Sequence, residues 1–304
     1  KSTTLSKKEI FFLKKYKPWG IILFSRNIKS INQVKKLNNQ IRKIFKDINY
    51  PILIDQEGGK VSRLSKLLIS SCFTGEFFGK KFLKKKIHFN KYLNIYIDQI
   101  SFLLRNIGVN INNAPVLDLR HKKSDIIIGD RAFSSNKGVV AEIGRFYIKK
   151  YHKNKIATVI KHIPGHGLAN KDSHFATPVI DKKLEYLLKN DFYPFKNQSS
   201  LFAMTAHVLL KKIDEKHTVT HSKKIISIIR SKIKFKKIII SDDISMKALK
   251  FSIEKNTIQA FKAGCNIVLH CNANMNEMLQ VAKKSPKIDN FLMKKTLEFY
   301  KLVS

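Results

Sequence analysis

Short, unbroken apolar runs alternate along the chain with longer stretches in which apolar positions recur every three or four residues. The short runs fall at 20–24, 51–55, 111–118, 157–161, 201–206, 237–242 and 266–270. Most are solid rather than alternating, which predicts parallel strands buried on both faces. The longer stretches predict helices. Over 90–107, Leu93, Ile97, Ile100, Leu104 and Ile107 mark one helical face. Ser6 and Glu9 have the spacing of a capping box and open the first helix. Further helices are expected over 32–47, 138–154, 182–190, 222–231 and 252–263. No linker, repeat or low-complexity segment divides the chain, so a single domain over residues 1–304 is expected.

Strand–helix alternation over one long domain predicts an α/β fold of the TIM type, a (β/α)8 barrel. The pattern yields seven strands, and the chain opens on a helix. The first strand of an eight-stranded barrel is therefore expected to be missing from this sequence, ahead of Lys1. The alternative is a doubly wound open sheet, which would show a glycine-rich phosphate turn after an early strand. The Gly58-Gly59 pair does not have that spacing.

Composition changes this picture little. No run of eighteen apolar residues exists, so no membrane-spanning helix is expected. The opening KSTTLSKKE lacks the apolar centre of a signal peptide. Cys72, Cys265 and Cys271 show no paired spacing, which points to a reducing, cytoplasmic setting. The charge is extreme: 59 Lys and Arg against 22 Asp and Glu, a formal +37. Such a balance suits a polyanion partner. It equally suits compositional drift, since Lys, Ile, Asn and Phe are abundant throughout, as AT-rich codons would give. The lysines are spread along the whole chain, with no single basic arm, so drift is favoured and no specific nucleic-acid partner is expected.

The candidate chemistry sits where strands end. Successive runs finish in Asp55, Gln56 and Glu57; in Asp118; in Lys161 and His162; in His207; and in Asp242 and Asp243. Parallel α/β folds carry their sites at the C-terminal strand ends. Asp243 reads as a structural hydrogen bonder. Histidines are dense in KHIPGHGLANKDSHF, residues 161–175. His162, His166 and His174 have the residue type of metal ligands, but Pro164 and Gly165 argue against a ligating helix, and no HExxH occurs. Proton transfer is the other reading: Asp172, one serine away from His174, can fix the imidazole tautomer and support its charged form. An ordinary surface Asp–His pair would have the same spacing.

Taken together, these segments resemble the β-N-acetylglucosaminidases of glycoside hydrolase family 3, in the short bacterial form that serves peptidoglycan recycling. The resemblance rests on FSRN (24–27), IDQEGGKVSRL (54–64), APVLDL (114–119), IGDRAFSS (128–135), KHIPGHG with DSH (161–174), MTAH (204–207), SDDISM (241–246) and AGCNIVLHCN (263–272). It implies a retaining exo-glycosidase that forms a covalent glycosyl-enzyme, with GlcNAc-1,6-anhydroMurNAc muropeptides as substrate. Asp242 would be the nucleophile, His174 the general acid/base and Asp172 its dyad partner. Asp55, Arg63, Arg131, Lys161 and His162 would bind the N-acetylglucosamine. No metal or cofactor is implied, and a monomer is expected. Two departures stand out. Lys60 occupies a position where the family carries Arg, and 120–127, RHKKSDII, is unusually basic. A β-glucosidase of the same family, an inactive relative and a basic polyanion binder are the competing readings.

Overall fold

The computed structural model describes residues 1–121, 127–169, 173 and 176–304. Its core is a seven-stranded parallel sheet built from β1 (Ile21–Leu23), β2 (Ile52–Ile54), β5 (Ile111–Asn112), β6 (Ala157–Ile163), β8 (Phe202–Thr205), β10 (Ile238–Asp243) and β11 (Ile267–Leu269), in that spatial order. Two small ladders lie above it: an antiparallel hairpin of β3 (Gln56–Gly58) with β4 (Val61–Ser62), and a parallel pair of β7 (Val179–Ile180) with β9 (Leu209–Leu210). Every expected strand run contributes to the sheet, and the parallel expectation holds throughout it.

The helices run in chain order: α1 (Lys7–Tyr16), α2 (Ile31–Phe45), α3 (Gly75–Lys84), α4 (Lys86–Ile107), α5 (Lys137–Lys153), α6 (Leu184–Lys189), α7 (Lys223–Ile228), α8 (Ile253–Ala263), α9 (Met275–Lys284) and α10 (Asn290–Val303). The capping box is formed: Ser6 Oγ accepts the Glu9 N–H, and Glu9 reaches back to the Ser6 N–H at 2.8 Å. None of these helices is long and apolar enough to cross a membrane.

Two cores follow from the two faces of the sheet. Outward-facing Ile52, Ile54, Ile160, Ala203 and Ile239 pack under the helices. Inward-facing Leu53, Ile111, Val159, Phe202, Met204, Ile238 and Ile240 meet one another, and Leu292 and Phe299 of α10 close the bottom. Side chains from β2 through β10 converge in one interior cluster because the sheet is curled into an incomplete barrel. Trp19 donates to Thr296 Oγ1 at 2.9 Å and joins that plug. Between β1 and β11 the ladder is not closed among the described residues. A cavity of about 800 Å³ lies there, lined by Ile21, Leu23, Leu13, Ile267, Leu269 and Met278.

The run expected as one strand over 111–118 is interrupted. Pro115 brings no N–H to the ladder, so regular pairing stops after Asn112. It resumes as a bridge in which Leu117 N–H donates to the Lys161 carbonyl at 2.8 Å. Asp118 follows, so the break does not displace the strand end from the rim.

Candidate functional site

The C-terminal rim of the barrel gathers the polar residues that the apolar runs end in. Lys161 and His162 are the fifth and sixth residues of β6, and both are buried. Nζ of Lys161 lies 3.0 Å from Asp55 Oδ1 and 2.7 Å from Glu57 Oε1. Glu57 also accepts both arms of Arg131, Nε at 2.8 Å and Nη2 at 2.9 Å. Arg63 Nη2 approaches the other oxygen of Asp55 at 3.5 Å, and its guanidinium lies 5.2 Å from the centre of the Phe24 ring. Asp55, Arg63, Arg131 and Lys161 are thus brought together in one network, with Glu57 at its centre.

His162 is reached by a second carboxylate. Asp118 Oδ2 sits 2.7 Å from His162 Nδ1 and accepts the His162 N–H at 3.2 Å, while Oδ1 accepts the His166 N–H at 2.7 Å. An anionic Asp118 makes Nδ1 the protonated nitrogen and leaves Nε2 to face the rim. Asp242, next to last in β10, is half-buried and accepts the Asp243 N–H on Oδ1 at 2.8 Å. Asp243 proves structural, as expected: its Oδ1 takes Ser245 N, Ser245 Oγ and Cys271 N.

The ionisation states follow from this packing. Burial alone would raise the Glu57 carboxyl, but the charges of Arg131 and Lys161 outweigh it and hold Glu57 far below the usual carboxylate range. Burial opposes the charge on Lys161, and Asp55 and Glu57 more than restore it. Burial likewise resists ionisation of Asp118, and His162 overcomes it. Desolvation would raise Asp242 too, yet His207, His162, the Asp243 N–H and Lys161 bring it below the ordinary value. The rim therefore presents an ionised, partly accessible carboxylate beside buried, charge-matched donors. That combination can orient a polyhydroxylated ligand and deliver a carboxylate to it.

Sequence reasoning named Asp55, Arg63, Arg131, Lys161, His162 and Asp242, and the fold brings all six to this rim. Asp172 and His174 lie outside the described residues. Ser173, between them, is described; its carbonyl accepts the N–H of Ala248, six residues beyond Asp242, at 3.1 Å. Reasoning from the sequence placed Glu57, Asp118 and His207 among the strand-end candidates but assigned them no role. For Glu57 and Asp118 the signal is charge balance, because Lys161, Arg131 and His162 gathered at one rim require anions beside them; nothing of that kind points to His207. Among the described residues no three His, Cys, Asp or Glu side chains converge as a metal-ligand set.

The sequence profile described as "Glycosyl hydrolase family 3 N terminal domain" matches residues 3–295. The chain belongs to glycosyl hydrolase family 3. A beta-hexosaminidase of Thioalkalivibrio sulfidiphilus is 32% identical to this family 3 enzyme over 275 residues, covering 89% of this chain and 78% of the relative. Among solved structures, NagZ from Neisseria gonorrhoeae in complex with N-trifluoroacetyl-D-glucosamine has a TM-score of 0.87 at 27% identity, over 98% of this chain and 87% of that one. A fungal multi-domain GH3 beta-N-acetylglucosaminidase has a TM-score of 0.86 at 26% identity; the match spans 99% of this family 3 chain but 37% of the fungal one.

Proposed function

We propose that this family 3 glycoside hydrolase is a retaining exo-β-N-acetylglucosaminidase that removes terminal β-linked GlcNAc from GlcNAc-1,6-anhydroMurNAc muropeptides. The observation that supports this best is the half-buried Asp242, ionised and facing a rim of buried donors, in a chain whose relatives include beta-hexosaminidases. Asp242 attacks the anomeric carbon while the His174 imidazolium protonates the leaving oxygen, giving a covalent glycosyl-enzyme and a free alcohol. His174, now neutral, takes a proton from water, whose oxygen attacks the same carbon and expels Asp242. Asp172 orients that imidazole. Asp55, Arg63, Lys161 and His162 hold the sugar hydroxyls and acetamide. Glu57 already takes two arms of Arg131, so Arg131 acts chiefly by keeping Glu57 ionised and in place. The same reading makes residues 1–304 one catalytic domain of a monomeric, cytoplasmic protein that needs no cofactor.

The deciding assay is nitrophenol release from 4-nitrophenyl β-N-acetylglucosaminide, with the β-glucoside beside it and Asp242→Ala as control. The N-acetylglucosaminide alone should be cleaved, and the substitution should reduce turnover by on the order of 10⁴-fold or more while leaving the unfolding midpoint near the parent's. Cleavage of the glucoside alone would move the reading to a β-glucosidase. Parental activity in Asp242→Ala would remove the nucleophile assignment. Product analysis on an anhydro-muropeptide tests the natural substrate.

A further inference from the structure

We propose that His207 is a positioning residue for the Asp242 carboxylate, acting through the backbone of Asp243; this rests on Asp242 being the nucleophile. His207 stands two residues beyond the end of β8, and no part of its side chain reaches solvent. Nε2 lies 3.0 Å from the Asp243 carbonyl oxygen, and Nδ1 lies 2.7 Å from Thr220 Oγ1. A carbonyl only accepts, so Nε2 carries the proton; burial disfavours the charged ring and leaves Nδ1 bare. The Thr220 hydroxyl then donates to Nδ1 in preference to its 3.4 Å contact with the Ala206 carbonyl, and Thr205 donates to Thr220 across 2.8 Å. The direction of every proton in the chain from Thr205 through Thr220 and His207 to Asp243 is thereby fixed.

What this chain holds is the point where the sheet stops holding itself. The β8–β10 ladder pairs Ile238 with Phe202, Ile239 with Ala203 and Ile240 with Met204, and goes no further. On the other side, the β10–β11 register shifts between Ile240 and Asp243. Asp242 therefore sits on backbone that regular pairing has released, as irregular strand ends commonly allow. Asp243 is anchored towards β11 through its own carboxylate and Cys271 N–H. Towards β8, His207 supplies the link that the ladder no longer makes. Asp243 N–H, in turn, donates to Asp242 Oδ1. The Asp243 carbonyl also accepts the Met246 N–H at 3.1 Å, and the Ile244 N–H donates to the Leu269 carbonyl at 2.9 Å. Without the imidazole the peptide after Asp243 therefore stays tied to β11 and to the following turn but loses its tie to β8. The preceding peptide, which carries the N–H donated to Asp242 Oδ1, is then restrained from one side only, and the aim of the carboxylate drifts. The groups facing Asp242 that survive the change are His162 and Lys161 of β6.

The test compares His207→Leu, which cannot donate, with His207→Gln, whose amide can replace Nε2, and with Thr220→Val, which removes the hydroxyl from Nδ1. Folding is checked first by thermal unfolding. In His207→Leu, kcat should fall about 10- to 100-fold, the scale of a small misplacement of a reacting group, with KM changed much less. The acid limb of kcat/KM should move to higher pH, and His207→Gln should recover most of both. A folded His207→Leu with parental kcat and acid limb would overturn the proposal. If that variant does not fold, Thr220→Val decides it by the same two readouts: a lower kcat with a shifted acid limb supports the proposal, and parental values of both overturn it. Titration of the Asp242 carboxyl by ¹³C NMR, without substrate, decides it independently of turnover: an unchanged midpoint in His207→Leu or, if that does not fold, in Thr220→Val overturns the positioning role. A parental chain with no turnover counts instead against the glycosidase reading.

Discussion

His166 illustrates how a single side chain carries two messages. Its backbone N–H belongs to the site, donated to Asp118, while its ring is buried and kept neutral. Burial first, and His162 second, push its pKa down to about 4. The sign of the linkage follows. The unfolded chain protonates this imidazole near pH 6.5, whereas the folded chain does not until about pH 4. Stability is therefore complete above pH 6.5 and is lost as pH falls through that window, by on the order of 3 kcal/mol for this one group. His152 and His221, also held near 4 by burial, act in the same direction. Urea midpoints at pH 7, 5.5 and 4.5 should fall steadily, and His166→Gln should flatten the slope; a flat parental profile would refute the assignment. The carboxylates Glu57, Asp118 and Asp242 are depressed instead, so their contribution disappears only below about pH 4. At this scale the sequence was informative about which residues reach the rim, because each one terminates an apolar run. It was silent about pairing: nothing local to Glu57 tells that it meets Arg131, 74 residues away.

Among the elements, α3 was not anticipated, and the reason lies in its packing. Its apolar positions are interleaved with lysines and two glycines, GEFFGKKFLK, so no clean face stands out. The glycines are there for contact. A Cβ on Gly79 would come within 1.6 Å of the Phe133 carbonyl oxygen, and one on Gly75 within 2.1 Å of the Arg131 carbonyl oxygen. The helix thus lies directly against the backbone that delivers Arg131. Gly79→Ala is the informative change. Helix propensity alone would favour it by about 1 kcal/mol. The clash should win, costing about 1–3 kcal/mol net and raising KM as Arg131 is pushed from Glu57. A more stable variant with parental KM would show that the contact yields. The hairpin of β3 and β4 was equally hidden, since its residues follow β2 without an apolar break. By contrast, β6 and β10 were legible nearly to their ends, because they are buried on both faces and their composition is decided by that burial alone.

At the scale of the molecule, the incomplete closure between β1 and β11 has a mechanical consequence. A barrel closed by hydrogen bonds resists expansion the way hoops resist the spreading of staves. Here the hoop is interrupted at one stave, and the load across the opening falls on a few ties: the plug of α10 below, and Arg26 above, whose guanidinium donates to the Cys271 carbonyl. Stiffness should then grade around the circumference, lowest at the opening and highest at β6 and β8 opposite. Amide exchange should follow that gradient, with Ile21–Leu23 and Ile267–Leu269 exchanging well ahead of Val159, Ile160 and Ala203. Uniform protection around all seven strands would contradict it. The site straddles the gradient. Lys161 stands on the stiff wall, while Asp242, on β10 one strand from the opening, and Arg63, against Phe24 beside β1, stand nearer the compliant one. Warming should therefore loosen Arg63 and Asp242 on the two sides of the opening before it disturbs Lys161 opposite.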